Sequence, residues 1–256
     1  MINELLQKRV DIAIDRLRCF VPKDGKPYWG CFSGGKDSVV IKELARLAGV
    51  PVEWHYNVTT IDPPELVRFI REHHKDVAFD RPKRSFFQAI PLMGMPTRIL
   101  RWCCEEFKES RSPKDRRLIF GVRWEESPRR AKAWGITTRS TRTGGTIVSP
   151  IVDWTSDNVW NFIRGLGLPY CNLYDEGWKR LGCIGCPMSD KGRSREFYRW
   201  PIYEKLWKQA CRRLWENRTA KGAESVKRWP TWEAMWRWWM EEEGDAECQG
   251  VLDFHS

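Results

Sequence analysis

The chain has 256 residues, enough to bury a substantial core, and its length fits one α/β domain with a smaller appendage. Hydrophobic residues make up 41% and charged residues 30%, and no apolar run approaches the ~20 residues that span a bilayer, so the composition excludes a membrane-crossing helix. A net charge of +10 points to an anionic partner, and nine cysteines with no secretory signal point to the reducing cytoplasm, where clustered thiols bind metal more often than they pair.

Met1 to Arg18 is amphipathic and carries acids, unlike a signal or transit peptide; Leu6, Val10, Ala13, Ile14 and Leu17 share one helical face. Tyr28, Trp29 and Phe32 predict a short buried strand, and Val40, Leu44, Leu47 and Ala48 predict a helix after it. Between them runs Cys31-Phe-Ser33-Gly34-Gly35-Lys36-Asp37-Ser38. A strand that turns through two glycines into a helix aims unpaired N–H groups forward, which suits an anion. Glycine lets the backbone approach a phosphate, Lys36 adds charge, and Ser33 and Ser38 add hydroxyl donors. Asp37 would either hold Mg²⁺ or orient a neighbouring donor. The spacing is not that of a Walker A loop, and a plain turn capped by Ser33 is the alternative.

Alternation over Pro51 to Val58 predicts a second strand, which would carry Thr59 to Asp62 at its ligand-binding carboxyl end. A helix from Pro63 to about His74, a short strand at Val77 to Phe79 and a clear strand at Leu118 to Val122 follow. This alternation favours a Rossmann-like, doubly wound parallel sheet. Arg123, directly after the last of these strands, would emerge at the ligand edge and fork onto a phosphate or sulfate, unless it pairs with Glu125 or Glu126. Trp154 and Trp160 are expected core aromatics, with base stacking as their alternative, and Thr155 or Asp153 caps the helix that follows. Histidines 55, 73 and 74 are expected on strand and surface.

Cys103-Cys104 and Cys183-Ile-Gly-Cys186 form two thiol pairs. A CxxC knuckle with an internal glycine bends around one centre, while an adjacent pair suits a polynuclear group with separate metal corners. Four thiolates fit a [4Fe–4S] cluster; a Cys₄ zinc site, a disulfide at 183/186 and inert thiols are the other readings.

These segments together resemble the phosphoadenosine-phosphosulfate (PAPS) reductase family, within the ATP-pyrophosphatase superfamily, from about Tyr28 to Cys186. The loop matches its Ser-Gly-Gly-Lys-Asp-Ser. Arg98-Ile-Leu-Arg101-Trp102-Cys103-Cys104 with Lys108 resembles the Arg-Trp-Cys-Cys of its iron–sulfur members, and Gly121-Val-Arg123-Trp-Glu125-Glu126-Ser127 resembles Gly-x-Arg-x-x-Glu-Ser. Pro150-Ile-Val-Asp153-Trp154, Asp157-Asn-Val159-Trp160 and Gly182-Cys183-Ile-Gly-Cys186 complete the order. The resemblance implies an adenine-nucleotide α-hydrolase-like fold and a [4Fe–4S] cluster on cysteines 103, 104, 183 and 186. It also implies a nucleotide, ATP or adenylyl sulfate/PAPS, on Ser33, Gly34, Gly35, Lys36, Asp37, Ser38 and Arg123, with Lys36 and Asp37 in the chemistry. An electron or sulfur donor protein would accompany either reaction.

Two chemistries divide this family. Its sulfonucleotide reductases use a C-terminal thiol in Glu-Cys-Gly-x-His, of which Glu247-Cys248-Gln249-Gly250 and the distant His255 are a loose echo in an acidic setting. ATP-splitting relatives keep the loop whole, as here, so the resemblance favours ATP-dependent sulfur transfer of the kind carried out by DNA-phosphorothioation proteins of the DndC type. A non-catalytic nucleotide-binding module is the third reading.

A division into residues 1–190, an α/β domain, and 191–256, a basic helical extension, is expected. Arg193, Arg195, Arg199, Lys205, Lys208, Arg212, Arg213, Arg218, Lys227 and Arg228 alternate there with Phe197, Tyr198, Trp200, Trp207 and Trp215. This pattern reads either as a nucleic-acid surface or as an amphipathic helix with Tyr203, Leu206, Trp207, Ala210, Cys211 and Leu214 in an apolar stripe and a solvated basic face opposite. Trp232, Trp236 and Trp239 repeat the apolar stripe after Pro230-Thr231.

Overall fold

Apolar residues at 6, 10, 13 and 17 form the stripe that makes Glu4–Cys19 (α1) a helix with one buried face; Asn3 caps it by accepting the Leu6 N–H. The computed structural model describes residues 3–109, 112–114, 116–140 and 144–241. They divide into two compact units. The first comprises Met1–Val58, Pro63–Arg81 and Arg111–Leu181, the second Thr59–Asp62, Pro82–Ser110 and Gly182–Ser256.

The first unit is built on a sheet. Its strands are Tyr28–Cys31 (β1), Val52–Asn57 (β2), Val77–Asp80 (β3), Leu118–Ile119 (β4), Thr137–Arg139 (β5) and Thr146–Val148 (β6), in the order β3-β2-β1-β4-β6-β5. All pair in parallel except β5, which runs antiparallel along β6. The fold is therefore α/β and Rossmann-like, with one antiparallel edge. Helices Lys36–Ala48 (α2), Pro64–His73 (α3), Pro128–Ala133 (α6) and Ser156–Gly165 (α7) connect or flank the strands. Val40, Ile41 and Leu44 of α2 are fully buried, each such side chain stabilising the fold by roughly 1.5–3 kcal/mol. Leu47, expected on the same face, is exposed instead. Gly49 ends the helix in the left-handed region at φ 68°.

The chain adds β2 and β3 on one side of β1, then crosses to lay β4 on the other. The order reverses at β1, and the crevice beyond the carboxyl ends of β1 and β4 is where such a sheet receives ligands. Strand β4 is shorter than the expected Leu118 to Val122: after Phe120 N–H bonds Val148 O, the backbone leaves the ladder toward the start of α2.

The second unit is helical: Phe86–Met93 (α4), Trp102–Cys104 (α5) running into a π-turn at Glu105–Glu109, Arg193–Arg199 (α8), Pro201–Ala220 (α9), Glu224–Lys227 (α10) and Trp232–Glu241 (α11). Ser85 and Gln88 close a capping box on α4. Phe86 meets the Trp207 ring at 5.0 Å, and Trp207 stacks on Trp239 at 4.6 Å. Trp207, Ala210, Cys211 and Leu214 form the buried stripe of α9, as its spacing predicted. The expected division at residue 190 follows chain order, whereas the compact units interleave, because α4 gives its apolar side to α9. Among the described residues no helix is long and apolar enough to cross a membrane.

Candidate functional site

The glycine turn lies at the switch point of the first unit. Gly34 has φ 74°, the left-handed region, and a Cβ there would fall 2.8 Å from Ile70 and Leu66 of α3, so both conformation and space require glycine. Ser38 Oγ donates to Gly35 O at 2.7 Å, and the Lys36 N–H donates to the Tyr174 hydroxyl at 3.0 Å. The first intrahelical bond runs from Val39 N–H to Gly35 O, so the Asp37 and Ser38 N–H groups precede the helical ladder. Tyr174, held edge-on against Trp160 at 5.0 Å, has no signal in the sequence beyond its aromatic character.

Three charged side chains form a chain across this turn. Lys36 is buried, and its Nζ lies 3.3 Å from Asp37 Oδ2. The other carboxylate oxygen, Oδ1, accepts from Arg123 Nε at 2.6 Å. Arg123, only 3% exposed, also donates through Nη1 to Glu125 Oε2 at 2.7 Å and to Trp154 O at 3.3 Å. Burial works against its charge, but Asp37 and Glu125 outweigh it and raise its pKa. Arg123 thus reaches the switch point as expected, yet its fork grips Asp37 and Glu125. Gly121 allows this approach, since a Cβ there would stand 3.1 Å from the Asp37 backbone. Asp37 thus joins Lys36 and Arg123 across the turn. Trp154 is core, as expected, and Thr155 caps α7. His74, expected on the surface, is buried against Phe32 and Phe69.

The cysteine pairs meet in the second unit. Cys103, Cys104, Cys183 and Cys186 are all half-buried free thiols. Cys103 shares a hydrogen bond with Cys104 that raises its own pKa and lowers that of Cys104; Cys183 and Cys186 also act on Cys103. Burial pushes Cys183 up to about 12, against the pull of Lys108. Lys108 has its pKa raised, by Cys183 above all, then by Asp62, Cys104 and Cys186, against the cost of burying the ammonium. Arg101 Nη2 donates to Cys104 Sγ at 3.3 Å.

The 183–186 knuckle is fastened through its backbone. Ile184 N–H donates to Ile61 O at 2.8 Å, Ile184 O accepts from Trp207 Nε1 at 3.1 Å, and Gly185 N–H donates to Glu196 Oε2 at 2.7 Å. Gly185, at φ 78°, leaves no room for a Cβ beside Trp207. Glu196 and Trp207 are supports that the thiol spacing alone does not reveal. Among the described residues no three Cys, His, Asp or Glu side chains converge closely enough for a single metal ion. A cluster spreads its thiolates over separate iron corners, so four thiols within one field and two cations beside them are a donor set that such a group can use.

Three cations of the basic C-terminal helices are paired with acids of the same helices. Lys208 pairs with Glu204 and Arg212 with Glu216, both at 2.7 Å, and Lys227 pairs with Glu224. Arg193 is buried and caps the end of α11 at Trp239 O, 2.6 Å away. Of the interleaved aromatics, Phe197, Trp200 and Trp207 are core, while Tyr198 is 91% exposed. Cys248 and His255 lie outside the described residues.

Sheet order, glycine turn and switch-point charges define a Rossmann-like α/β protein with an anion-ready loop after its first strand. The chain belongs to the phosphoadenosine phosphosulfate reductase domain family, which matches residues 27–189. An uncharacterized protein of Methanocaldococcus jannaschii is 29% identical over 240 residues, 88% of this chain and 48% of that protein. An adenosine 5′-phosphosulfate reductase of Oceanobacillus iheyensis is 38% identical over 79 residues, 30% of this chain and 32% of that protein. A probable FAD synthase of Caenorhabditis elegans is 27% identical over 172 residues, 59% of this chain and 28% of that protein. The chain thus spans about half or less of the length of these curated relatives. The phosphoadenylyl-sulfate reductase of Candida auris, solved with phosphate, shares the fold, with a TM-score of 0.52 at 16% identity over 72% of this chain and 96% of that one.

Proposed function

We propose that Ser33 to Ser38 binds the phosphates of an adenine nucleotide, ATP in preference to a sulfonucleotide, and that the chain serves ATP-dependent sulfur transfer, with nucleic acid as the acceptor, in the manner of DndC-type proteins. The observation that carries this reading is the complete loop with Lys36, Asp37 and Arg123 joined across it. Asp37 holds Arg123 at 2.6 Å but Lys36 at only 3.3 Å, so an arriving phosphate draws off Lys36 first. Oδ2 is then free for Mg²⁺ on the nucleotide. An acceptor oxygen attacks the α-phosphorus, the bond to pyrophosphate breaks, and a sulfide ion then displaces AMP from the adenylated acceptor, leaving its sulfur in place of that oxygen. Lys36 and the N–H groups ahead of the helical ladder bear the charge that develops on the leaving pyrophosphate.

Cys103, Cys104, Cys183 and Cys186 would hold a [4Fe–4S] cluster, which supplies electron transfer or sulfur handling when bound. Lys108 and Arg101 balance the thiolate charge there. Protein purified without oxygen should be brown and Cys183→Ser colourless; stoichiometric zinc without iron would sink the assignment.

The similarity to adenosine 5′-phosphosulfate reductases supports a second reading, thiol-dependent reduction of adenylyl sulfate or PAPS. One assay separates the two. ATP-dependent transfer releases pyrophosphate only with Mg²⁺ and an acceptor, and Lys36→Ala weakens nucleotide binding by about 1.5–3 kcal/mol, one charge-assisted hydrogen bond. Sulfite release from adenylyl sulfate or PAPS, lost in Cys248→Ser and indifferent to ATP, overturns the first reading. Binding of nucleotide with neither product would leave a non-catalytic module.

A further inference from the structure

A charge of +10 has to reside somewhere, and residues 127–152 contain no Asp or Glu while carrying Arg129, Arg130, Lys132, Arg139 and Arg142. Arg130 is paired with Glu126. The side chains of Arg129, Lys132 and Arg139 are exposed and make no hydrogen bond or ion pair among the described residues. The run of cations in α8 to α11 is interleaved with Glu196, Glu204, Glu216, Glu224 and Glu233, and three of its members are spent on them, whereas no acid stands between Arg129 and Arg139. Unspent charge is what a polyanion can use, because each contact releases condensed counterions without first breaking an internal pair.

Arg129 and Lys132 stand three residues apart on α6 and so share a helical face. The chain then turns at Gly135, whose N–H donates to Thr138 Oγ1 at 3.1 Å, into β5, which ends in Arg139 at the outer edge of the sheet. A cation on an edge strand can serve only to discourage strand pairing. One arginine suffices for that role, and it does not explain an acid-free helix leading into the strand. Trp124 is 40% exposed, and its indole is tied down by Nε1 donating to Trp134 O at 2.5 Å, which presents an aromatic surface held in place. Trp124 follows Arg123, the residue that grips Asp37 of the glycine loop.

We infer that Trp124, α6 and β5 form a docking surface for single-stranded nucleic acid, with Arg129, Lys132 and Arg139 on its phosphates and Trp124 against an unpaired base. Fixed aromatics stack on bases that a duplex keeps paired, which selects the single strand. The inference rests on the reading of Ser33 to Ser38 as the nucleotide site and moves the acceptor surface from the C-terminal helices to this element.

Fluorescence anisotropy with a labelled 20-nucleotide single strand of mixed sequence, and with its duplex, tests it at several salt concentrations. Combined Arg129→Glu, Lys132→Glu and Arg139→Glu should weaken single-strand binding at least tenfold and flatten the logarithmic salt slope by about 2, as loss of three phosphate contacts predicts. Trp124→Ala should weaken it severalfold without changing that slope. A control that reverses Lys205, Arg213 and Arg237 should stay within twofold of wild type. Equal loss in the control, unchanged binding in the triple variant, or duplex bound as tightly as single strand would each overturn the inference. Lys36→Ala, expected to lose nucleotide but keep the oligonucleotide, separates failure of this surface from failure of the nucleotide site.

Discussion

Replacing Arg123 with Met tests whether charge holds the glycine loop. The Arg123 side chain is 4% exposed, 2.6 Å from Asp37, whose side chain is 19% exposed, and 2.7 Å from Glu125, whose side chain is 47% exposed. Water can rehydrate Glu125, so that side of the cost stays on the surface scale, below about 1 kcal/mol. Asp37 keeps Lys36 at 3.3 Å on Oδ2 but faces a dry apolar stem on Oδ1, and breaking a buried pair from one side costs about 3–5 kcal/mol. Partial exposure puts the expected loss at the lower end, about 3 kcal/mol, or roughly 6–12 °C in Tm for a chain of this size. Arg123→Lys keeps the charge but loses the fork and can reach only one carboxylate, so it should melt between wild type and the Met variant. Thermal unfolding followed by circular dichroism reads both, and calorimetry should find nucleotide binding at least tenfold weaker in Arg123→Met. The reasoning is refuted if Arg123→Met melts within 2 °C of wild type. It is equally refuted if Arg123→Lys falls as far as Met, because packing would then explain the loss.

Gly34→Ala should cost about 1–2 kcal/mol from the left-handed backbone and more from contact with Ile70 and Leu66; urea unfolding that matches wild type would show that the turn relaxes. Tyr174→Phe removes the acceptor of the Lys36 N–H, an expected loss of about 0.5–1.5 kcal/mol in stability or nucleotide affinity, and no change in either would free Tyr174 of that role. His74 has its pKa lowered to about 4 by burial and by the Lys42 ammonium beside it. Its neutral form is therefore the native one, and between pH 6.5 and 4 the unfolded chain binds the proton first, so stability falls as pH falls. The share lost by pH 5 is about 2 kcal/mol, and His74→Gln should abolish that share of the acid sensitivity in urea midpoints at pH 7 and pH 5.

The elements that bury an apolar stripe were legible before any coordinates. The faces of α1 and α9, the strand at Tyr28 and the cap at Thr155 follow from local spacing and local hydrogen bonds. The glycine loop was legible for the same reason, since its chemistry is contiguous. What the sequence hid is carried by side chains that meet from distant segments. Its position after a strand puts Arg123 at the ligand edge, but whether it holds a ligand or Asp37 depends on how closely Gly121 lets the chain beyond β4 pass the start of α2. Tyr174 and Glu196 act through single hydrogen bonds and leave no periodic trace. The interleaving of the two units was hidden too, because the apolar side of α4 does not name α9 as its partner.

The peptide at Ile184 has a consequence in time. Its N–H waits on Ile61 and its carbonyl on the indole of Trp207, which lies beyond the segment that defines the family. At about 5–20 residues per second of synthesis, the interval between making Ile61 and making Trp207 is on the order of ten seconds. Every strand of the first unit is made before the thiol knuckle, which gains its Glu196 clamp and then its indole only after its own synthesis. The knuckle is therefore a late-setting part of a nascent chain.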